Sequence, residues 1–246
     1  MYLAVCFGVL AVLFLAPHPD APGPVRLWLG LASLELAVLY TLAQQPERSI
    51  GRWMLSRTPF ARVTRVLLTP YRWGTWIFLY AKELLRPENH LDEIVPGLYL
   101  GRRPLARDRA VNAPLALAGV VDLCCEFAPS GVVVGVPDED YLPLPALDGT
   151  APALADTSSA VDWIERRLAQ NRKVLVHCAA GHGRSATIVA CLLIRRRLAT
   201  DAETAIRLMR AARPLVSLNR TQRALVARYA QSLTSNEPLQ DPEDHR

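Results

Sequence analysis

Two long apolar stretches open the chain. Met1 to Ala16 carries no charged side chain across its 16 residues. As a helix it would reach about 24 Å, slightly short of a bilayer core of roughly 30 Å. Pro17, Pro19, Pro22, Gly23 and Pro24 then break it. Val25 to Ala43 follows, apolar except for Arg26, Ser33, Glu35 and Thr41. Two such stretches about a Pro-rich turn predict a transmembrane helical hairpin over residues 1–43. A signal peptide fits less well, because a basic n-region and a clear A-x-A site are missing. Glu35 falls mid-span, where a lone carboxylate is costly, so it is read as protonated or paired with a neighbouring helix.

From Trp53 to Leu85 the pattern changes. Arginines alternate with Trp53, Phe60, Tyr71, Trp73, Trp76, Phe78 and Tyr80. Basic residues interleaved with aromatics suit an interfacial helix on anionic lipid; a linker helix packed on a soluble domain is the alternative. Arg86-Pro87-Glu88-Asn89 reads as the boundary.

Beyond it, short apolar runs alternate with helical spacing. Ile94 to Leu100 predicts a first strand or hairpin. Leu105 to Leu117 predicts a short helix interrupted by Asn112 and Pro114. Gly119 to Cys124 is a β-branched, buried strand, and Tyr141 to Leu144 a shorter one. Ala160 to Ala169 places Val161, Ile164 and Leu168 on one helical face, with Asp156, Thr157 and Ser158 as candidate caps. Lys173 to His177 is a short, fully buried strand. Three helices follow: Arg184 to Arg197, one capped by the box Thr200-Asp-Ala-Glu203, and one capped by Asn219 to Gln222 and running to about Leu233. Strands alternating with helices predict an α/β fold. Ser235 to Arg246 is polar and holds two prolines, as in a tail.

Composition narrows the class. Of 246 residues, 51% are hydrophobic, which excludes disorder. Five cysteines are too few for a disulfide-rich secreted scaffold. The net charge of +5 is local: Gln44 to Arg86 holds eight Lys or Arg against two Glu, an excess of six that exceeds the net charge of the whole chain. Nucleic acid is therefore not implied. The turn His18 to Pro24 has no Lys or Arg, so the positive-inside rule places the bulk of the chain in the cytoplasm.

The chemistry lies in Val174-Leu-Val-His177-Cys178-Ala-Ala-Gly181-His182-Gly183-Arg184-Ser185. A buried strand ends at a cysteine, a Gly-containing loop follows, then an arginine and a helix. Backbone amides of such a loop form an anion nest, and the helix N-terminus adds positive charge. Arg184 offers a planar fork that matches two phosphate oxygens. A cysteine beneath that cup is favoured as thiolate. The loop is thus built to bind a phosphoryl group over a nucleophile.

Cys-x5-Arg-Ser preceded by His resembles the signature of cysteine-dependent phosphatases. Ile94 to about Leu233 resembles their dual-specificity branch, with Ile94-Val-Pro-Gly-Leu-Tyr-Leu-Gly101 as its opening strand and Arg213-Pro214 before its last helix. A rhodanese-like sulfur carrier would not explain that strand. The resemblance implies a central sheet flanked by helices and a set of roles. Cys178 attacks phosphorus. Arg184 and the loop Ala179, Ala180, Gly181, His182 and Gly183 hold the phosphate oxygens. Ser185 bonds the sulfur, and His177 orients the loop from behind. The family places an acid about thirty residues earlier, and Asp148 in Leu-Asp-Gly-Thr150 sits thirty residues before Cys178. Asp-Gly is also a common turn pair. Asp156 is the second candidate acid, although it reads better as a cap; Asp138 and Asp140 come too early. Gln222 resembles a water-positioning glutamine, but its spacing from Asn219 favours a cap.

The loop Ala180-Gly-His-Gly-Arg184 also resembles that of tensin-type phosphoinositide phosphatases, with His182 in place of a lysine and Ala179 in place of another. Leu123-Cys124-Cys125-Glu126 resembles their Leu-Cys-x-Glu, which implies that Cys124 could pair with Cys178 on oxidation. A mitochondrial and bacterial branch of the family acts on phosphatidylglycerophosphate. The expected substrate is therefore a phosphorylated lipid or a phosphoprotein at the membrane. A non-catalytic phosphate-binding module is the alternative. No metal or other cofactor is implied, since the five histidines are scattered and no Cys or His pair has ligand spacing. The expected units are a hairpin (1–43), a basic linker (44–88), a phosphatase domain (89–234) and a tail (235–246).

Overall fold

The structure is a computed structural model and describes residues 2–16, 23–43, 58–85 and 88–235. The Pro-rich turn after Ala16, the basic stretch 44–57 with Trp53, the boundary pair Arg86-Pro87 and the tail beyond Ser235 lie outside the described residues.

Helices α1 (Tyr2–Leu15) and α2 (Pro24–Leu42) pack along each other. The arginine that interrupts the second apolar stretch explains itself here. Arg26 donates to the carbonyls of Phe14, Leu13 and Ala16 at 3.0, 3.2 and 3.3 Å. These are the open carbonyls at the end of α1, so the guanidinium caps them. Glu35 lies beside Thr64 of α3 (Pro59–Leu67), and its buried Oε2 has no hydrogen-bond partner. Pro24–Leu42 is long and apolar enough to cross a membrane, whereas the apolar part of α1, Leu3–Leu15, is shorter.

Helix α4 (Thr69–Leu85) has two faces. Trp76 packs edge-on against Phe127 at 4.9 Å, beneath the guanidinium of Arg103, and Tyr71 joins a cluster with Cys125 and Leu147. Trp73, Ile77, Tyr80, Leu84 and Leu85 stay exposed. The helix is thus docked on the following domain along one side, which is the linker reading, and keeps an apolar face on the other.

That domain is α/β. A five-stranded sheet runs in the order β1-β2-β5-β3-β4, with β1 (Leu91–Val95), β2 (Leu98–Arg102), β3 (Leu117–Cys124), β4 (Tyr141–Ala146) and β5 (Lys173–Cys178). β1 and β2 form an antiparallel hairpin; the other pairings are parallel. Val174, Leu175 and Val176 are fully buried, so β5 takes the centre, covered on both faces. β4 holds Pro143 and Pro145 and lies at an edge, where missing amides cost no ladder bond; it continues two residues past the predicted end. Between β2 and β3 the expected helix is a run of short helical turns over 106–115.

One sheet face carries α5 (Leu154–Leu168), α6 (Arg184–Arg195), α7 (Ala202–Ala212) and α8 (Arg220–Ser235). In α6 every residue from Arg184 to Ile194 is buried. Ile188, Val189, Leu192 and Leu193 each contribute about 1.5–3 kcal/mol by that burial, and they fix the helix that begins at the arginine. Two caps differ from the sequence pattern. α5 starts at Leu154 with Ala153 as its N-cap, so Asp156 lies inside its first turn rather than at the cap position. α7 is capped by Asp201, which accepts from the Thr204 amide at 2.8 Å, rather than by Thr200; the helix begins at Ala202, which leaves Thr200 one residue outside the cap, and Glu203 instead pairs with Arg223.

Candidate active site

Strand β5 delivers Cys178 to the carboxyl edge of the sheet, and α6 leaves it again at Arg184. Cys178 Sγ accepts from the Gly181 amide at 3.3 Å and from the Ser185 hydroxyl at 3.2 Å. What shapes the loop is the fate of its carbonyls. Ala179 O accepts from the Arg103 amide, Ala180 O and Gly181 O from the Arg213 guanidinium, and His182 O from the Ser217 amide. Gly183 O accepts from Thr187. Five successive carbonyls are thus engaged by neighbouring structure, which favours the inward turn of amides that an anion nest needs. Gly181 sits at φ +77°, and a Cβ there would lie 2.4 Å from Gly101 of β2, so only glycine fits.

Arg213 is the brace of this arrangement. It is buried, and beyond the two loop carbonyls it binds Asn89 O at 2.9 Å and the Asp92 carboxylate at 2.8 Å. The sequence flagged it only as a fitting Arg-Pro pair.

Arg184 is held by a partner that no motif assigned to it. Glu126 grips the guanidinium at both ends, Oε2 to Nη1 at 2.9 Å and Oε1 to Nη2 at 2.6 Å. Ala146 O at 2.8 Å and Leu123 O at 3.2 Å share the remaining Nη1 proton. Burial would lower the arginine pKa, but Glu126 outweighs it, and the group is held well above its ordinary range. Nε is buried with no partner. With Nη1 and Nη2 pinned by Glu126, Nε is left to donate to a phosphate oxygen.

Asp148 follows β4 in the turn Leu147 to Thr150, with Gly149 at φ +72° and the Thr150 amide bonded to Leu147 O. Its Oδ1 lies 3.2 Å from Arg184 Nη2, and its side chain is 65% exposed. Turn residue and site residue are here the same residue. The cap of α8 reaches this loop. Asn219 and Gln222 exchange the reciprocal bonds of a capping box, each at 3.0 Å. Their remaining amide groups then donate to Gly149 O at 2.8 Å and Thr150 O at 3.1 Å. The cap expected from the spacing is present, and it also ties down the loop that carries Asp148. Asp156, in the first turn of α5, has no contact with Arg184 or Cys178 among the bonds described.

Behind Cys178 lies a buried relay. His177 Nε2 and Ser130 Oγ are 2.6 Å apart, and Ser130 Oγ donates to Asp122 at 3.0 Å, as does Tyr141 Oη at 2.6 Å. The serine gives its one proton to Asp122 and so accepts from His177. Complete burial holds the imidazole pKa below its ordinary value, against the pull of Asp122. A charged residue within the apolar run of β3 was the sequence signal for this network, and it was missed.

Asp122, Cys124 and His177 bring potential metal-ligand atoms within 4.8 Å of one another, a proximity that spacing alone did not reveal. The Asp122 and His177 groups are already bonded in the relay, and burial pushes the Cys124 thiol well up, away from the thiolate a metal needs. The three do not fit an ion. Cys124 and Cys178 are both free thiols. His182 Nε2 lies 2.9 Å from the Glu88 carboxylate at the rim of the loop.

Comparison with known proteins bears on residues 98–232, which match the family described as dual specificity phosphatase, catalytic domain. Phosphatidylglycerophosphate phosphatase PTPMT2 of Arabidopsis thaliana is 32% identical over 143 residues, 56% of this chain and 62% of that one. Dual specificity protein phosphatase 26 of Homo sapiens is 36% identical over 114 residues, 43% of this chain and 52% of that one. The chain therefore spans less than two thirds of the length of these relatives. The crystal structure of PTPMT1 superposes with a TM-score of 0.51 at 26% identity, over 59% of this chain and 96% of the other.

Proposed function

This chain belongs to the dual specificity phosphatase family, and we propose that it hydrolyses a phosphorylated lipid at a membrane surface through a phosphocysteine intermediate. The observation that carries the chemistry is the cup itself: outward-bonded loop carbonyls, an arginine fork open at Nε, and Cys178 Sγ beneath them. In the first step the Cys178 thiolate attacks phosphorus. The S–P bond forms as the ester P–O bond breaks, and protonated Asp148 gives its proton to the leaving oxygen. In the second step water attacks phosphorus, the Asp148 carboxylate takes the water proton, and the thiolate leaves, stabilised by the Ser185 hydroxyl. Arg184 and the loop amides hold the equatorial oxygens throughout. His177 acts from behind, through its bond to Ser130.

Two observations support a lipid substrate: the similarity to a phosphatidylglycerophosphate phosphatase and the apolar helices beside the site. The proposed organisation is a two-span hairpin over 1–43, a basic juxtamembrane linker over 44–88, and a catalytic domain over 89–234 facing the cytoplasm. The similarity to dual specificity protein phosphatase 26 favours a second reading, a phosphoprotein held at the same membrane.

Turnover of p-nitrophenyl phosphate, lost in Cys178→Ser with phosphate binding retained, tests the enzyme against a mere phosphate binder. Phosphate release by the full-length protein from vesicles of phosphatidylglycerophosphate or phosphoinositide, set beside phosphotyrosine peptides, tests the substrate. Strong peptide turnover with no lipid turnover overturns the lipid reading.

A further inference from the structure

Residues before Leu98 lie outside the family match, yet the N-terminal helices reach the two supports of the active site. One support is the acid loop. Leu147, 1% exposed, is buried in a cluster with Ala4 of α1, Leu36, Leu39 and Tyr40 of α2, and Leu68 before α4. A Cβ on Gly149 would lie 3.1 Å from Leu3 Cδ1, so the first turn of α1 rests on the residue next to Asp148. Phe7 stacks on Tyr40 at 5.6 Å and meets Tyr71 edge-on at 6.5 Å, tying α1, α2 and α4 into one block. The other support is the segment that grips the arginine. Arg72 Nε donates to Glu126 O at 2.9 Å, and Cys125 Sγ to Ala146 O at 3.3 Å, the carbonyl that also binds Arg184.

We propose that the N-terminal hairpin is a working part of the catalytic unit: Leu3 and Phe7 are positioning residues that hold the Asp148 loop in the geometry for proton delivery. The loop has few other restraints. Its turn is exposed at Asp148, and outside its own backbone the bonds described to it are those from Asn219 and Gln222 and the ion pair of Asp148 with Arg184. An apolar wall on the opposite side completes its support. A tether that merely raised local concentration would have no reason to touch Leu147 and Gly149. Misplacing a general acid by about 1 Å costs rate steeply, so a loosened wall should appear in the chemical step.

The proposal rests on the acid role of Asp148, and the test separates the two. Full-length protein in detergent micelles is assayed with two soluble esters: p-nitrophenyl phosphate, whose leaving group needs little protonation, and glycerol phosphate, whose alkoxide needs a proton. Asp148→Asn should lower kcat for the alkyl ester far more than for the aryl ester. Leu3→Ala and Phe7→Ala should lower kcat for the alkyl ester about 10-fold and for the aryl ester about 2-fold or less. Leu3→Met should restore the parental ratio, which a fold lost on mutation would not do. In the Asp148→Asn background, Leu3→Ala should cost nothing further. Equal losses on both esters, an additive loss in that background, or parental rates in both alanine variants would overturn the hairpin proposal while leaving the acid in place. Equal losses in Asp148→Asn itself would overturn the acid assignment and this proposal with it.

Discussion

The fork at Arg184 is held by a carboxylate that stands outside the loop motif. Glu126 and Arg184 form a buried, bidentate pair, so neither charge is expendable alone. Glu126→Ala would leave the guanidinium uncompensated in the interior. The expected cost is about 3–5 kcal/mol, read by urea denaturation, with a matching loss of phosphate affinity and turnover. Arg184→Lys keeps the charge but loses the fork, and should damage binding and turnover alike. His177 makes a different prediction. Its folded pKa lies below the ordinary histidine value because it is buried. The unfolded chain therefore binds a proton that the folded chain refuses. Stability is complete above about pH 6.5 and falls as pH drops between that value and the folded pKa, by at most about 1.4 kcal/mol per pH unit for one proton. Urea midpoints at pH 7.5, 6.5 and 5.5 should decline in the parent and flatten in His177→Asn. The nearness of Cys178, Ser185 and Arg184 was legible because one short loop joins them, and Asp148 was singled out by the family resemblance rather than by local chemistry. Glu126, Arg213 and Asp122 were not, because their partners lie 58, 32 and 55 positions away and only the sheet brings them together.

At the scale of elements, the Asn219–Gln222 box does two things with four groups. Two make the reciprocal cap of α8, and two bind Gly149 O and Thr150 O of the Asp148 loop. Asn219→Ala should therefore cost about 1 kcal/mol of stability as a lost cap. It should also lower kcat for alkyl phosphates more than for aryl phosphates, since the loop loses a bond. Asn219→Asp, which keeps the cap acceptor but not the Nδ2 donor, should recover the stability and not the rate. The cap was visible in sequence because a box has fixed local spacing; its second role was not, because the loop it holds lies 70 residues earlier. The same contrast runs through the fold. The buried strand β5 and the helix α6 follow from unbroken apolar runs. The start of α5 was placed too late because Ala153 offers no capping side chain. β4 was cut short at its prolines because edge position, which excuses them, is a property of the sheet.

For the molecule as a whole, the question is what the outer faces of the N-terminal helices meet. α1 and α2 expose Val5, Val9, Val12, Leu13, Val25, Leu31, Leu34 and Val38, and α3 and α4 expose Val63, Val66, Trp73, Ile77, Leu84 and Leu85. This much apolar surface on helices that also pack beside the Asp148 loop suits a bilayer more than water. The basic excess from Gln44 to Arg86 adds a preference for anionic headgroups, worth about 1 kcal/mol for each side chain near the surface. The expected behaviour of the full-length protein follows. Turnover of a phosphorylated lipid should rise when anionic lipid is added to neutral vesicles. Salt should erode the gain, as the Debye length contracts from about 10 Å at 0.1 M to about 3 Å at 1 M. Turnover of p-nitrophenyl phosphate by the same vesicle-bound protein should hardly change with salt, since that ester reaches the cup from solution. Charge reversal at Arg62, which is exposed on α3, should weaken the vesicle effect and leave the soluble ester untouched. Equal salt sensitivity for both substrates would place the effect in the cup rather than on the membrane face. A lipid rate indifferent to vesicle charge would leave the basic linker without a part in substrate choice.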